Sequence, residues 1–302
     1  MKLKMKKVEF EGWKNCIELK SGDFRIIVTT DVGPRIIGGF LGKNPKNIFN
    51  VDPKLAGKTG GEKWVNYGGH RIWHSPEDPE RTYMPDNGPV QVVKLGNDGV
   101  SFVFEEPETT GITKTIDIFP LGDNSFRIEH GIENNGVWPV ECAVWAISVM
   151  APGGTAVVPQ NRETKGLLPS KFISVWPYTD MQDKRITWGA KYVLVKQESG
   201  RTVKPMKIGL NCEEGWISYI NNGIAFIKTV DFCADERYPD NNCNVEVYTC
   251  KDMLEAETLG PLTLLQPGDK VVHEEFWHAC EMEQTPGTEK DAAMIFEEED
   301  DK

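Results

Sequence analysis

The sequence has no long apolar run. No stretch of its 302 residues approaches the roughly 18 consecutive apolar residues of a membrane-spanning helix. The basic residues 1–7 run directly into Val8, Glu9 and Phe10, without the apolar segment of a secretory signal peptide. Beyond this segment basic residues form no cluster, and the formal net charge is −12, which argues against nucleic acid or an anionic membrane as a partner. The sequence therefore predicts a cytoplasmic protein with a neutral small-molecule ligand.

Paired cysteines are also lacking. The chain has seven cysteines, an odd number, at irregular spacings and without a Cys-x-x-Cys pair. A disulfide framework or a thiolate metal site is recognised by regular cysteine spacing. We therefore expect reduced thiols.

A metal-binding motif is absent as well. His70 and His74 are four residues apart, which on a helix would place both on one face. A Gly-Gly pair precedes them and a Ser-Pro pair follows them, which argues against a helix. In the stretch 273–278, strand alternation divides the histidines and glutamates between the two faces. We expect neither a metal nor another cofactor.

Alternation of apolar and polar residues with a period of two dominates the chain. It recurs at 24–29, 112–118, 126–130, 140–150, 216–220, 224–230, 245–250 and 271–277. A period of two is the pattern of a half-buried strand, and the Gly- and Asn-rich stretches between are typical of hairpin turns, Asn222-Gly223 most clearly. No helical period lasts more than two turns. We predict an all-β fold, a large antiparallel sandwich that forms one domain over 1–283.

The remaining residues, 284–302, have the composition of a tail. They end in a run of acidic residues at 297–301, and blocks of like charge are usually solvated and disordered. We expect an acidic, disordered tail. The alternative is that Met294, Ile295 and Phe296 dock on a neighbouring surface.

Two long irregular segments, 52–89 and 160–183, interrupt the strand pattern. Loops of this length in a compact domain are uncommon and often functional. A sugar has an apolar face of C–H groups, which aromatic rings cover, and a rim of hydroxyls, which polar side chains satisfy. The first segment offers this mixture in His70, Arg71, Trp73, His74, Arg81 and Asp86. The alternative is a Trp-rich loop that closes one end of the sandwich.

A pair of glutamates follows near the end of the domain. Glu255 and Glu257 are two residues apart, so on a strand they share one face while apolar neighbours share the other. Two neighbouring carboxylates raise each other's pKa, and a glutamate with a pKa near neutrality is suited to general-base catalysis. The alternative is a solvated strand edge, which is the common position of such a pair.

Several blocks, in their order along the chain, resemble the aldose 1-epimerase (galactose mutarotase) superfamily. Residues 23–40 resemble the opening strands of that family, and the Asn-Ile-Phe sequence at 47–49 follows as it does there. Residues 134–150 resemble its central strand pair, and 257–268 its closing glutamate strand, which leads to a final strand at 273–280. The motifs Gly-Gly-x-x-x-Trp-x-Ser-Pro-Glu and Thr-Leu-Gly-Pro look like a bacterial branch of the superfamily.

The resemblance implies a large antiparallel β-supersandwich with a sugar cleft on a concave face. It also implies that a His acid and a Glu base interconvert sugar anomers without a cofactor. Glu257 matches the position of the base. Where the family's central strand offers the His acid this chain has Trp145, so His74 or His70 would have to supply the acid. Members of this fold also bind sugars without catalysis, and the fold alone does not determine the reaction.

We therefore predict aldose 1-epimerase-like acid–base chemistry with Glu257 as base and His74 as acid. The alternatives are a non-catalytic carbohydrate-binding protein, or an enzyme that acts on a modified saccharide in the same cleft. A third class is an interaction scaffold that uses the acidic tail. Both sugar hypotheses require the histidines and arginines of the first segment to converge with Glu257 on one concave face. Trp145 is then expected on the floor, and Arg71 and Arg81 beside the glutamates.

Overall fold

The alternating stretches of the sequence fold into strands. The computed structural model describes residues 3–105, 110–162 and 166–297. The strands are β1 (Met5–Phe10), β2 (Trp13–Ser21), β3 (Phe24–Thr29), β4 (Arg35–Leu41), β5 (Gly69–Ser75), β6 (Gln91–Leu95), β7 (Gly99–Glu105), β8 (Ile112–Gly122), β9 (Ser125–Asn134), β10 (Val140–Met150), β11 (Thr155–Pro159), β12 (Ile173–Val175), β13 (Ile186–Trp188), β14 (Tyr192–Lys196), β15 (Met206–Leu210), β16 (Trp216–Asn221), β17 (Ile224–Thr229), β18 (Val245–Thr249), β19 (Leu254–Leu259), β20 (Thr263–Leu265) and β21 (Lys270–Glu281). The same ranges contain the helices α1 (Pro239–Asn242) and α2 (Glu289–Glu297). Neither helix is long and apolar enough to cross a membrane.

The strands form two antiparallel sheets. Sheet 1 has the order β1-β2-β3-β4-β5-β10-β19-β18-β15-β12, with β20 also paired to β10. Sheet 2 has the order β13-β14-β11-β16-β17-β21-β9-β8-β7-β6. The predicted all-β antiparallel sandwich is confirmed.

Apolar residues of both sheets fill the space between them. Leu254 and Ala256 of sheet 1 and Ile128 of sheet 2 belong to this core and are at most 2% exposed. Burial of each large aliphatic side chain, such as Leu254 or Ile128, stabilises the folded state by about 1.5–3 kcal/mol. Because successive side chains of a strand point to opposite faces, Glu255 and Glu257 lie on the outer face of sheet 1.

A central strand lies where the sequence predicted a loop. β5 falls inside the first irregular segment and pairs with β4 on one side and β10 on the other. Gly68 and Gly69 before it have φ angles of 89° and 71°, and a Cβ on Gly68 would lie 2.1 Å from the carbonyl oxygen of Asn50. These glycines permit a close backbone approach where the strand begins, so they mark the entry to a strand and not a long loop.

The hairpin predicted at Asn222-Gly223 is confirmed. These two residues connect β16 to β17, whose last and first residues, Asn221 and Ile224, are paired. Their φ angles are 53° and 79°, and positive φ at both central positions is the geometry of a type I′ turn.

The acidic tail is helical over nine residues, so the expectation of disorder is wrong for α2. Ala292 is fully buried, and the ring centroid of Phe296 lies 4.8 Å from that of Trp216. Glu289 accepts hydrogen bonds from two consecutive backbone N–H groups beside β14. The apolar side chains of α2 pack against sheet 2 of the same chain. This burial stabilises the helix despite the acidic composition of the segment. The acidic residues 298–301 lie outside the described ranges.

The cysteines form no disulfide bond, and all seven lie in the described ranges. Burial raises the pKa of the Cys16, Cys142 and Cys212 thiols to about 11. These three side chains are therefore protonated thiols at neutral pH.

Candidate functional site

The outer face of sheet 1 brings distant parts of the chain together. The register of β5, β10, β19 and β18 aligns Arg71 with Ile147, Ile147 with Glu257, and Glu257 with Glu246. Directly paired residues of antiparallel strands project to the same face. One row of side chains therefore crosses the centre of the sheet.

Glu257 lies at the middle of this row and is fully buried. The indole Nε1–H of Trp145 donates to its Oε2 at 2.8 Å, and Nζ of Lys207 donates to the same oxygen at 2.9 Å. The other carboxylate oxygen, Oε1, has no hydrogen-bond partner within the described chain. One oxygen is therefore fixed by the protein, and the other is left for a further donor.

Lys207, on β15, joins two carboxylates. Its Nζ lies 2.6 Å from Oε2 of Glu246 as well as 2.9 Å from Oε2 of Glu257. The ammonium also lies 4.3 Å from the ring centroid of Trp145 and 4.7 Å from that of Trp176, so two aromatic faces add to its stabilisation.

Burial governs the proton affinities of this group. It raises the pKa of Glu246 well above the usual range and raises that of Glu257 too, with Lys207 opposing both shifts. Burial disfavours the charge on Lys207, but Glu246 and Glu257 outweigh it and hold the lysine pKa above its usual value. Lys207 is therefore a fixed cation beside two carboxyls whose neutral forms are favoured by burial.

Arg71 and Glu255 form a second ion pair on the same face. Nη1 of Arg71 lies 3.1 Å from Oε1 of Glu255, and its guanidinium carbon lies 4.4 Å from the ring centroid of Trp73 and 5.4 Å from that of Trp64. Asn66 also donates to Glu255, at 3.5 Å. Arg71 is therefore the counter-charge of Glu255, whereas Lys207 is the counter-charge of Glu257.

Aromatic rings assemble beside these ion pairs. The ring centroids of Trp73 and Trp64 are 4.7 Å apart, those of Trp73 and Tyr83 4.9 Å, and those of Trp73 and Trp145 5.5 Å. Tyr83 donates a hydrogen bond to Glu77. Within the described chain, the buried Nε1 of Trp64 and Nε of Arg71 have no hydrogen-bond partner. The face thus combines apolar ring surface with polar groups that have unused hydrogen-bonding capacity.

The two histidines of β5 do not belong to this face. His70 and His74 alternate with Arg71 and Trp73, so they point inward between the sheets. Nδ1 of His70 lies 2.9 Å from Oγ of Ser148, and its Nε2 is directed to sheet 2. Burial lowers the pKa of His74 to about 3, which leaves it neutral. The expectation that His74 or His70 supplies the acid is therefore wrong on geometry, because the sheet itself separates both rings from Glu257.

His70 belongs to a buried polar network between the sheets. Its Nε2 lies 2.6 Å from Nε2 of His130. Nδ1 of His130 donates to the carbonyl oxygen of His273 at 3.1 Å, so in the neutral ring Nε2 of His130 is an acceptor. His70 then donates through Nε2 and accepts from Ser148 through Nδ1, and every ring nitrogen of this pair is satisfied.

His70, His130 and Glu275 have the donor set of a metal site, with ligand atoms within 4.8 Å of one another. The carboxylate is already engaged, however, because Nζ of Lys228 lies 2.7 Å from its Oε1 and Nε1 of Trp277 lies 2.6 Å from its Oε2. A divalent cation would add two charges beside a buried lysine, with one carboxylate to balance them. A hydrogen-bonded network that joins the sheets explains these contacts better.

Two other predicted binding residues lie away from Glu257. Both oxygens of Asp86 accept from Nη2 of Arg35, at 2.9 and 2.7 Å, so Asp86 neutralises a buried arginine. The side chain of Arg81 is 54% exposed and pairs with Asp78 at 3.6 Å. Neither residue contacts the Glu257 group.

Five of the predicted residues do share the outer face: Arg71, Trp73, Trp145, Glu255 and Glu257. The sequence analysis missed Lys207 and Glu246. Each is a charged residue flanked by apolar residues within a short strand, a pattern that normally marks a solvent-facing position. A charge between apolar residues was the available signal, and it does not distinguish a buried ion pair from a solvent-facing position.

Comparison with known proteins gives information on the fold. No protein-family model and no curated protein matches the chain. Among solved structures, a candidate aldose 1-epimerase from Escherichia coli K12 is 12% identical with a TM-score of 0.57, covering 88% of this chain and 98% of its own. A galactose mutarotase-like protein from Lactobacillus casei is 10% identical with a TM-score of 0.57, covering 88% and 100%. A galactose mutarotase-like protein from Clostridium acetobutylicum is 10% identical with a TM-score of 0.55, covering 93% and 99%. The resemblance seen in the sequence blocks is therefore confirmed at the level of architecture: this chain has the galactose mutarotase-like β-sandwich fold.

Proposed function

We propose that this protein binds a sugar on the outer face of sheet 1 and exchanges its anomers by acid–base chemistry, with Glu257 as the base. The observation that carries the proposal is the environment of Glu257. Its Oε2 is held by Trp145 and Lys207, its Oε1 is without a protein partner in the described chain, and burial raises its pKa. A carboxylate held in this way is oriented, and a raised pKa increases its proton affinity, which favours general-base catalysis.

The chemistry needs one proton removed and one supplied. Glu257 removes the proton of the anomeric hydroxyl while the bond between C1 and the ring oxygen breaks, and the ring oxygen takes a proton. Rotation about the C1–C2 bond and closure on the other face of the aldehyde give the opposite anomer, with both protons returned. Each catalytic group of this kind contributes about 10²–10⁴-fold to the rate.

The aromatic group supports a sugar as the ligand. Trp64, Trp73, Tyr83 and Trp145 form a continuous cluster beside Glu257, and indole and phenol faces suit the C–H surface of a pyranose. Nε1 of Trp64 and Nε of Arg71 are buried donors without a partner in the described chain, and a bound sugar would satisfy them with its hydroxyl groups. Trp145 therefore has two roles, as a ring wall and as the donor that fixes Glu257.

Non-catalytic sugar binding is the second candidate. It is favoured by the inward orientation of His70 and His74, which leaves the described part of this face without a histidine acid. Lys207 does not replace it, because its raised pKa makes it a poor proton donor at neutral pH. Binding without turnover would use the same aromatic cluster.

The test compares anomer exchange with binding. Exchange between anomers is measured by NMR on a panel of neutral aldoses and modified sugars, and binding by the change in tryptophan fluorescence. For Glu257→Gln we expect at least 10²-fold slower exchange with binding retained. Glu129→Gln, a change of the same chemistry on the outer face of sheet 2, serves as the control and should match the wild type. Binding without exchange by the wild type for every sugar would support the second candidate, and neither binding nor exchange would overturn both.

A further inference from the structure

Lys207 lies beside two carboxyl groups, but its single positive charge can balance only one ionised carboxylate. Glu246 and Glu257 face each other on β18 and β19, and both are fully buried. Their nearest oxygens lie 2.6 and 2.9 Å from Nζ of Lys207. If both carboxyls were ionised, the group would carry one uncompensated negative charge with no exposure to water, which is strongly unfavourable in a protein interior. One of the two carboxyls must therefore hold a proton.

The hydrogen bonds show which carboxyl is ionised. Oε2 of Glu257 accepts from both Trp145 and Lys207, and two donors on one oxygen stabilise a carboxylate. Glu246 accepts no hydrogen bond of suitable geometry at either oxygen within the described chain, although Nζ of Lys207 lies nearer to its Oε2, at 2.6 Å, than to Oε2 of Glu257, at 2.9 Å. This hydrogen-bond pattern favours Glu246 as the carboxyl that holds the proton, and burial raises the pKa of both groups.

The neighbouring backbone makes room for this side chain. Glu246 is paired with Gly209 on β15, and a Cβ at Gly209 would lie 3.3 Å from Cγ of Glu246 and 2.7 Å from Sγ of Cys243. A glycine at this point allows the stem of Glu246 to lie across β15 beside Lys207. The pairing of β15 with β18 therefore determines the position of the Glu246 carboxyl.

From this arrangement, and resting on the function proposed above, we infer that Glu246 is the general acid of the site and occupies the role expected of a histidine. In the forward step Glu257 takes the proton of the anomeric hydroxyl, the C1–ring oxygen bond breaks, and the ring oxygen takes the proton of Glu246. The step leaves Glu257 protonated and Glu246 ionised on either side of Lys207. Ring closure reverses both transfers, so protons and electrons balance without another reactant.

Other polar groups near Glu257 suit this role less well. The pKa of Lys207 lies above its ordinary value, so it keeps its proton. Burial raises the pKa of Tyr178 to about 12, and this side chain is 49% exposed. The pair formed by Glu246 and Glu257 instead holds one protonated and one ionised carboxyl, and paired carboxyls with divided acid and base roles occur in other enzymes.

The test uses Glu246→Gln, which keeps the size of the side chain but cannot donate the proton in question. We expect kcat for anomer exchange to fall by about 10²–10⁴-fold with KM nearly unchanged. We also expect the residual rate to lose the decline at alkaline pH that ionisation of an acid produces. Glu129→Gln is again the matched control. Urea unfolding of the Gln variant should occur near the wild-type midpoint, because an amide replaces a carboxyl that is already neutral.

A direct measurement keeps the inference independent of turnover. The infrared carbonyl band of a protonated carboxylic acid should be present in the wild type at pH 7, absent from Glu246→Gln, and retained in the control. An unchanged band or unchanged kcat in Glu246→Gln overturns the assignment of the acid, even if the wild type is active. A wild type that exchanges no sugar overturns the proposed function instead, and the band then shows whether the pair formed by Glu246 and Glu257 holds a proton.

Discussion

Nζ of Lys207 lies 2.9 Å from Oε2 of Glu257 in a place where the lysine side chain is 6% exposed and the glutamate side chain is 0% exposed. The two residues are 50 positions apart in the chain and belong to strands that are separated by β18. Such a buried pair is costly to desolvate, so its energetic importance becomes visible when one partner is removed.

Lys207→Met should therefore destabilise the protein by about 3–5 kcal/mol at pH 7, because it leaves buried carboxyls without a cation. The control is Lys191→Met, which removes an ion pair with Glu297 from a side chain that is 49% exposed and should cost under about 1 kcal/mol. The free energy of unfolding of both variants is measured with urea. Equal costs for the two substitutions would show that Lys207 does not neutralise a buried charge.

Trp145→Phe tests the second contact of Glu257. The substitution keeps most of the ring but removes the Nε1–H that donates to Oε2 at 2.8 Å. Loss of a hydrogen bond to a charged group should lower the free energy of unfolding by about 1.5–3 kcal/mol. Trp138→Phe is the control, because Trp138 is 76% exposed and its loss should have little effect. Similar urea midpoints for the two variants would contradict the assigned role.

The sequence pattern predicted the architecture because alternation reports which face of a strand is buried. The same rule placed Glu255 and Glu257 together on the outer face. It failed at β5, where every residue is buried. The glycines before this strand allow close packing, but in the sequence they are typical of a loop. The inward orientation of His70 was therefore not predicted.

Lys207 could not be connected to Glu257 from sequence for a different reason. The contact depends on β18 lying between β15 and β19, which is a property of strand order in the sheet. Periodicity determines the face of a residue within one strand, whereas strand order determines which residues share that face. The ion pairs of the site depend on strand order, which periodicity does not reveal.

His74 gives a prediction about pH. Burial, then Lys114 and Arg81, lower its pKa in the folded state from 6.5 to about 3. The unfolded chain therefore binds the proton first as the pH falls, and stability is lost as the pH decreases from about 6.5 toward 3. His74→Gln removes this contribution. The free energy of unfolding is measured with urea at pH 7 and pH 5 for both proteins. Between these pH values the wild type should lose about 2 kcal/mol more than the variant. A constant difference between the two proteins would contradict the assigned environment of His74.

The last prediction concerns the docking of α2 on sheet 2. Ala292 is fully buried in this contact, whereas Met294 is 49% exposed. Ala292→Asp places an unpaired charge in an apolar interface, so the helix should undock while the remaining sandwich stays folded, since local elements open at lower free energy than the core. Met294→Asp adds the same charge to the same helix on its exposed side and should leave it docked. Chymotrypsin cleavage at Phe296 is the measurement, because the ring is protected against Trp216 in the docked helix. We expect cleavage of the Ala292 variant to be at least about tenfold faster than that of the Met294 variant, which corresponds to a difference of about 1.4 kcal/mol in the opening equilibrium. Equal cleavage rates would mean that the helix is held by its polar contacts, such as those of Glu289, and not by burial of its apolar side.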